Sequence, residues 1–170
     1  MGGADATGFP VLCGSASNNI AIDRLATFIC KIGPSPADRP PAVAQADDGL
    51  VEVPADPSGE PLVYVFKTLA DPYVGKVSMF RVISGTIRPD VVLMNPRTQA
   101  DERLHALFTM LGKEHIDVSE VPAGDIAAVG KLSDTATGDT LAPKGTPITV
   151  PALEMPDPLE PDVATPEPAG

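Results

Sequence analysis

Residues 62–85 read LVYVFKTLADPYVGKVSMFRVISG, and the texture of this stretch decides the fold. Val63, Val65 and Lys67 alternate with Leu62, Tyr64 and Phe66. After a turn, Val77, Met79, Arg81 and Ile83 alternate with Ser78, Phe80, Val82 and Ser84. A period of two, carried by β-branched and aromatic residues, predicts two strands rather than a helix. Working outward, DVVLMN (90–95), ERLHALFTML (102–111), GDIAAVGKL (124–132) and PITVPAL (147–153) predict further strands. Residues 104–111 carry a weak helical period, but their neighbours favour a strand. Gly85, Pro89, Asn95-Pro96, Gly112, Gly124, Gly138-Asp139 and Lys144-Gly145 punctuate the runs. Six or more short strands with turn signals between them indicate an antiparallel barrel or sandwich.

Upstream the texture differs. Phe9 to Ala16 (FPVLCGSA) is a short apolar run stopped by Gly and Ser, and predicts one buried strand. Asn18 and Asn19 are candidate caps for a helix. Ile22, Leu25, Ile29 and Ile32 fall at spacings of three, four and three, one stripe of that helix. Gly33 as a left-handed cap and Pro34 as a breaker end it. Strand, turn, helix and stop make half an α/β unit, a remnant of a larger domain over residues 1–33. Residues 34–61 are rich in Pro, Ala and Asp without periodicity and are expected to be a linker. Residues 62–153 form the β domain. The last stretch, EMPDPLEPDVATPEPAG (154–170), is expected to be a disordered acidic tail.

Charge follows the same boundaries. Residues 1–60 hold three Lys/Arg against eight Asp/Glu, residues 61–151 nine against ten, and residues 152–170 none against five. The acidity sits on the flanks, and the near-neutral middle excludes a DNA-binding module held by a broad basic surface. Arg88, Arg97 and Lys113 lie near turns and are candidates for an edge that contacts an RNA phosphate backbone, although solvated strand faces carry such charges routinely. Cys13 and Cys30 show no C-x-x-C spacing and no nearby His, which argues against a zinc site, a disulfide framework or a thiol nucleophile. His105 and His115 have only scattered carboxylates around them, so no catalytic residue and no metal ligand is assigned. No run approaches 18 apolar residues, and MGGADATG is not a secretory leader, so a cytoplasmic, membrane-free protein is expected.

ADPYVGKVSMFRVISGTI (70–87) resembles the opening of the second domain of bacterial elongation factor G. VSEVPAGDIAAVGKL (118–132) and TGDTL (137–141) resemble that domain's second half, in the same order. PVLCGSASNN (10–19) is similar to the end of the family's GTPase domain, and ALEMPDP (152–158) to the exit towards its third domain. SGTIRPD and KLSDTATGDTL are equally similar to elongation factor G-like paralogues. The resemblance implies a mainly β fold, a Greek-key antiparallel barrel preceded by a strand–helix remnant of an α/β GTPase domain. It implies as partners that GTPase domain and small-subunit ribosomal RNA, in support of GTP-dependent translocation. Gly14, Ser15 and Ala16 match the family's guanine-contacting motif, and GTP with magnesium are the parent family's cofactors.

The 170 residues contain no G-x-x-x-x-G-K-[ST] loop to cradle phosphates and no N-K-x-D motif. The D-x-x-G string at Asp56–Gly59 lies in the Pro-rich stretch and is a chance match. The chain is therefore expected to hold no cofactor and not to hydrolyse GTP by itself. The alternative to a partial translation factor is a free-standing, non-catalytic ribosome-binding adaptor or competitor.

Overall fold

A computed structural model describes residues 9–72 and 74–152. The expectations for residues 1–8 and for the tail 154–170 lie outside the described residues. Helix α1 (Ile22–Ile32) and a 3-10 turn (Pro36–Asp38) precede twelve strands: β1 (Ala42–Ala46), β2 (Gly49–Val53), β3 (Leu62–Asp71), β4 (Gly75–Ser84), β5 (Thr86–Ile87), β6 (Val91–Asn95), β7 (Ala100–Leu104), β8 (Leu107–Leu111), β9 (Glu114–Asp117), β10 (Val121–Pro122), β11 (Ile126–Gly130) and β12 (Thr140–Leu141).

Six strands form one antiparallel sheet in the order β12-β3-β4-β11-β8-β9. β11 enters between β4 and β8 although it is remote from β4 in sequence, the non-sequential neighbouring of a Greek key. The β6–β7 hairpin joins the far side through Met94 and Ala142, which exchange backbone hydrogen bonds of 2.8 and 2.9 Å. β5 pairs with β10. The sheet thus curls around one core in which Val63, Val65, Phe80, Ile87, Leu107 and Leu141 are at most 1% exposed.

The alternation read from residues 62–85 is interrupted twice in β3, once between Leu62 and Val63, which are both buried, and again at Phe66. Val65 faces Phe80 across the ladder, but Lys67 faces Met79, so Phe66 is an extra residue in a β-bulge and is partly exposed. Beyond the bulge the strand turns its apolar side to a second, smaller cluster of Leu69, Val77, Met79, Phe108 and Met110. β4 therefore buries residues on both faces, Val77 in this cluster and Phe80 and Val82 in the main one.

Five expectations need correction. Residues 9–16 are not a buried strand: Phe9 and Val11 are each 89% exposed, and only Ser15 makes a bridge, to Ile20. With no sheet beside it, an extended apolar segment has nothing to pair with. Residues 34–61 are more than a linker, because they contain the β1–β2 hairpin. The stretch 102–111 is two strands, broken at His105–Ala106, and 147–152 contributes one bridge, Thr149 to Gln45, instead of a strand. Helix α1 is present as predicted, but its N-cap is Ala21 with no side-chain cap bond, and Gly33 ends it at φ −61° rather than in the left-handed region.

The segment between α1 and β3 is fixed to the barrel at three places. Pro36 packs directly over Gly124. Gln45 and Thr149 exchange two backbone hydrogen bonds of 2.8 Å, beside a fully buried Ala44. The Asp56 carbonyl accepts the Gly85 amide at 2.8 Å, and Thr86 donates to the Pro57 carbonyl at 2.7 Å. By contrast, α1 buries no residue: Leu25, Ile29 and Ile32 are 41%, 59% and 39% exposed. In the isolated chain, amides of residues 22–32 should exchange faster than those of β3, β4 and β11, because few buried contacts oppose local opening. Equal protection in a hydrogen-exchange experiment would contradict that.

Candidate functional site

The three candidate phosphate contacts sit in three different turns. Arg88 precedes β6 and Arg97 lies beyond its end, so a strand of about 16 Å separates them at 3.3 Å per residue. Arg88 pairs with Glu120 at 2.9 Å, both side chains being more than half exposed. Lys113 sits in the β8–β9 turn, exposed, and makes no ion pair among the described residues. His105 lies outside the strands and reaches Asp90 at 3.0 Å.

Arg97 belongs to a built polar network. Its Nε and Nη2 donate to Asp139 Oδ1 and Oδ2 at 2.6 and 2.7 Å, a two-pronged pairing. The same carboxylate accepts from Asn95 Nδ2 and the Ala136 amide, each at 2.8 Å. Asn95 is fully buried and the Asp139 side chain is 6% exposed. Burial alone would raise the Asp139 carboxyl. The hydrogen bonds from Arg97, Ala136 and Asn95 outweigh it and hold the group below the usual carboxylate range. The Arg97 guanidinium is pushed up by the same hydrogen bond to Asp139.

A second buried carboxylate completes the arrangement. Glu102, on β7 and 4% exposed, accepts from the amides of Ser133 and Asp134 at 3.1 and 2.8 Å and from Thr135 Oγ1 at 2.8 Å. Lys76 Nζ donates to the Thr135 carbonyl. Two acids, one from the β6–β7 hairpin and one from the β12 approach, therefore fix loop 133–139, which has no regular structure to satisfy its own amides. A cleft of about 480 Å³ opens beside it, lined by Arg97, Thr137, Thr140 and Val150. Among the described residues no group of three or more His, Cys, Asp or Glu is placed to hold a metal.

The Gly14–Ala16 segment is a tight loop. The Ser15 amide donates to the Ile20 carbonyl at 3.1 Å, and the Ser15 carbonyl accepts the Ile20 amide at 2.9 Å. A β-carbon at Gly14 would stand 2.8 Å from the Ile20 carbonyl oxygen, so only glycine fits there.

Residues 60–144 match the family model of elongation factor G domain 2, half of the chain. The chain belongs to that family. The elongation factor G domain 2 match begins two residues before β3 and ends just after β12, so it spans the barrel strands themselves. The crystal structure of a Thermus thermophilus protein superposes with a TM-score of 0.67 at 28% identity, covering 88% of this chain and 20% of that one. The chain thus spans about a fifth of that protein's length. It is a translation-factor domain with a mainly β, antiparallel barrel fold. Among the described residues no helix is long and apolar enough to cross a membrane.

Proposed function

We propose that this chain is the barrel module of a translational GTPase of the elongation factor G type. In this reading it acts on the ribosome in the cytoplasm, touching small-subunit ribosomal RNA and the GTPase domain. The observation that carries the reading is the family match across β3 to β12. Catalysis belongs to the parent's GTPase domain, which supplies the phosphate cradle and magnesium. The residues present here do not fit a whole nucleotide: the Ser15 amide is already bonded within its loop, and no phosphate-binding loop occurs in the sequence. Gly14 to Ala16 are left at most a contact with a base.

Exposed cations without fixed partners are the natural phosphate contacts, which favours Lys113, then Arg88, over Arg97. Co-sedimentation of the 170-residue chain with ribosomes tests the reading. Binding should be present at low salt and fall steeply between about 50 and 200 mM. Lys113→Glu and Arg88→Glu should each weaken it further, since each exchanges an attraction for a repulsion. A chain that stays in the supernatant at low salt would refute the proposal.

A further inference from the structure

We propose that the cavity between the segment preceding β3 and the outer face of β4 is an oxyanion site, in which Arg39 and Arg81 together hold a phosphate dianion and so bridge that segment to the barrel. The inference rests on these two arginines and their surroundings, and it stands whether or not the chain acts on the ribosome.

Four of the six arginines have carboxylate partners: Arg24, Arg88, Arg97 and Arg103. The other two, Arg39 and Arg81, make no ion pair and no side-chain hydrogen bond among the described residues. Both line one cavity of about 170 Å³. The chain has 23 acidic residues for 12 Lys and Arg, so a shortage of carboxylates does not explain two bare guanidiniums at one place. The eight other lining residues are uncharged. Asp38, Glu52, Asp56 and Asp125 adjoin lining residues in sequence, but none of them lines the cavity. Asp38 Oδ2 accepts the Ser35 amide at 2.9 Å, and Glu52 and Asp56 face a different cavity.

The backbone fixes both side chains at their roots. Arg39 caps the 3-10 turn Pro36–Asp38, its amide donating to the Pro36 carbonyl at 3.3 Å, and Pro36 packs over Gly124. Arg81 sits within β4, opposite Tyr64 of β3 and Ile126 of β11, and is exposed where its neighbours Phe80 and Val82 are buried. Two guanidinium forks carried by separate elements suit an oxyanion that accepts hydrogen bonds from each. Like charges at one cavity also repel until an anion lies between them. Size narrows the class: drug-sized ligands need about 300–1,000 Å³, so this cavity has room for a phosphate group but not for a base and sugar as well. Charge narrows it further. A dianion balances both guanidiniums, whereas a carboxylate or a backbone phosphodiester balances one.

The test titrates the 170-residue chain with inorganic phosphate at about pH 8, where phosphate is a dianion, with chloride holding the ionic strength constant. The NMR amide signals of Arg39, Ala42, Val53, Arg81 and Gly124 should move together and saturate. Arg39→Gln and Arg81→Gln should each weaken binding about fivefold or more, and Arg81→Lys, which keeps the charge but loses the fork, several-fold. Both side chains are exposed and unpaired, so neither variant loses an internal contact, and Arg24→Gln on α1 should bind as the parent does. Dimethyl phosphate, with one charge, should bind roughly tenfold more weakly. Glycerol phosphate identifies the source of the group: affinity equal to that of phosphate assigns a terminal monoester with its organic part in solvent, and failure beside saturating phosphate assigns the free ion. At about ten times the dissociation constant, exchange of the β1–β2 amides should slow about tenfold while that of β6–β7 stays unchanged, because the occupied site resists departure of the segment. Signals that do not saturate overturn the proposal, as does chloride acting equally well. So do glutamine variants that both bind like the parent, dimethyl phosphate binding as tightly as phosphate, or β1–β2 exchange that ignores phosphate.

Discussion

Replacing Asp139 with Ala should lower the stability of the barrel by about 2–4 kcal/mol at pH 7, read from urea unfolding. The buried Asn95 Nδ2 and the Ala136 amide, the latter in a partly buried bond, lose a charged acceptor, and hydrogen bonds to charged groups contribute about 1.5–3 kcal/mol each. The exposed Arg97 can turn to water and adds little. Loop 133–139 would then keep Glu102 but lose its other carboxylate anchor, so the variant should also show faster exchange at Ala136 than at Ser133. The pH dependence has a definite sign. The Asp139 carboxyl lies below its ordinary value in the folded chain, so its contribution is present above the unfolded value near 4 and disappears as pH falls through the folded one. The stability gap between parent and variant should therefore be constant from neutral pH down to about 4 and close below it. A gap under about 0.5 kcal/mol at pH 7 would show that the network is ornamental.

Gly85→Ala should be of similar or larger effect, about 2–5 kcal/mol. Gly85 has φ +77°, where a β-carbon costs about 1–2 kcal/mol. That β-carbon would also stand 2.7 Å from both N and Cα of Pro61, backbone atoms that cannot swing aside, and such overpacking adds about 1–3 kcal/mol. Gly112 separates the two contributions. It too has positive φ, +63°, but nothing lies within 4 Å of its missing β-carbon. Gly112→Ala should therefore show the conformational part alone, about 1–2 kcal/mol. Equal losses at the two sites would mean that Pro61 yields and the close approach is unimportant.

The barrel strands are legible in the sequence because their signal is local. Residues 63–65 and 79–83 alternate in the sequence as they do in the sheet. The bulge at Phe66 is not legible, since an extra residue is defined only against the opposite strand. The β1–β2 hairpin escapes for a different reason. AVAQA and GLVEV flank Asp47-Asp48, and Asp48-Gly49 is a turn signal, but the surrounding prolines mask a short alternation. The strand expected at 9–16 fails because apolar sequence reports a wish for burial, and burial needs a partner that the described residues do not supply. At the site, Arg97 stands out as a basic residue near a turn. Its role is hidden because Asp139 lies 42 positions away. His115 likewise reads as a lone surface histidine until Asp71 and Phe108 are brought beside it.

The three attachments of the segment between α1 and β3 have a mechanical consequence. Ser35 to Asp38 are closed on themselves by a capping box, Pro36 bears on Gly124, and the next two fastenings hold residues 45 and 56. Only Gly33 and Pro34 separate the helix from the first fastening. Whatever the helix is anchored to, a tilt of its axis would find compliance at that two-residue joint and stiffness everywhere after it. Only a load that passes the joint would reach the barrel, and it would arrive first at Gly124, at the turn into β11, the strand that lies between β4 and β8 in the middle of the sheet.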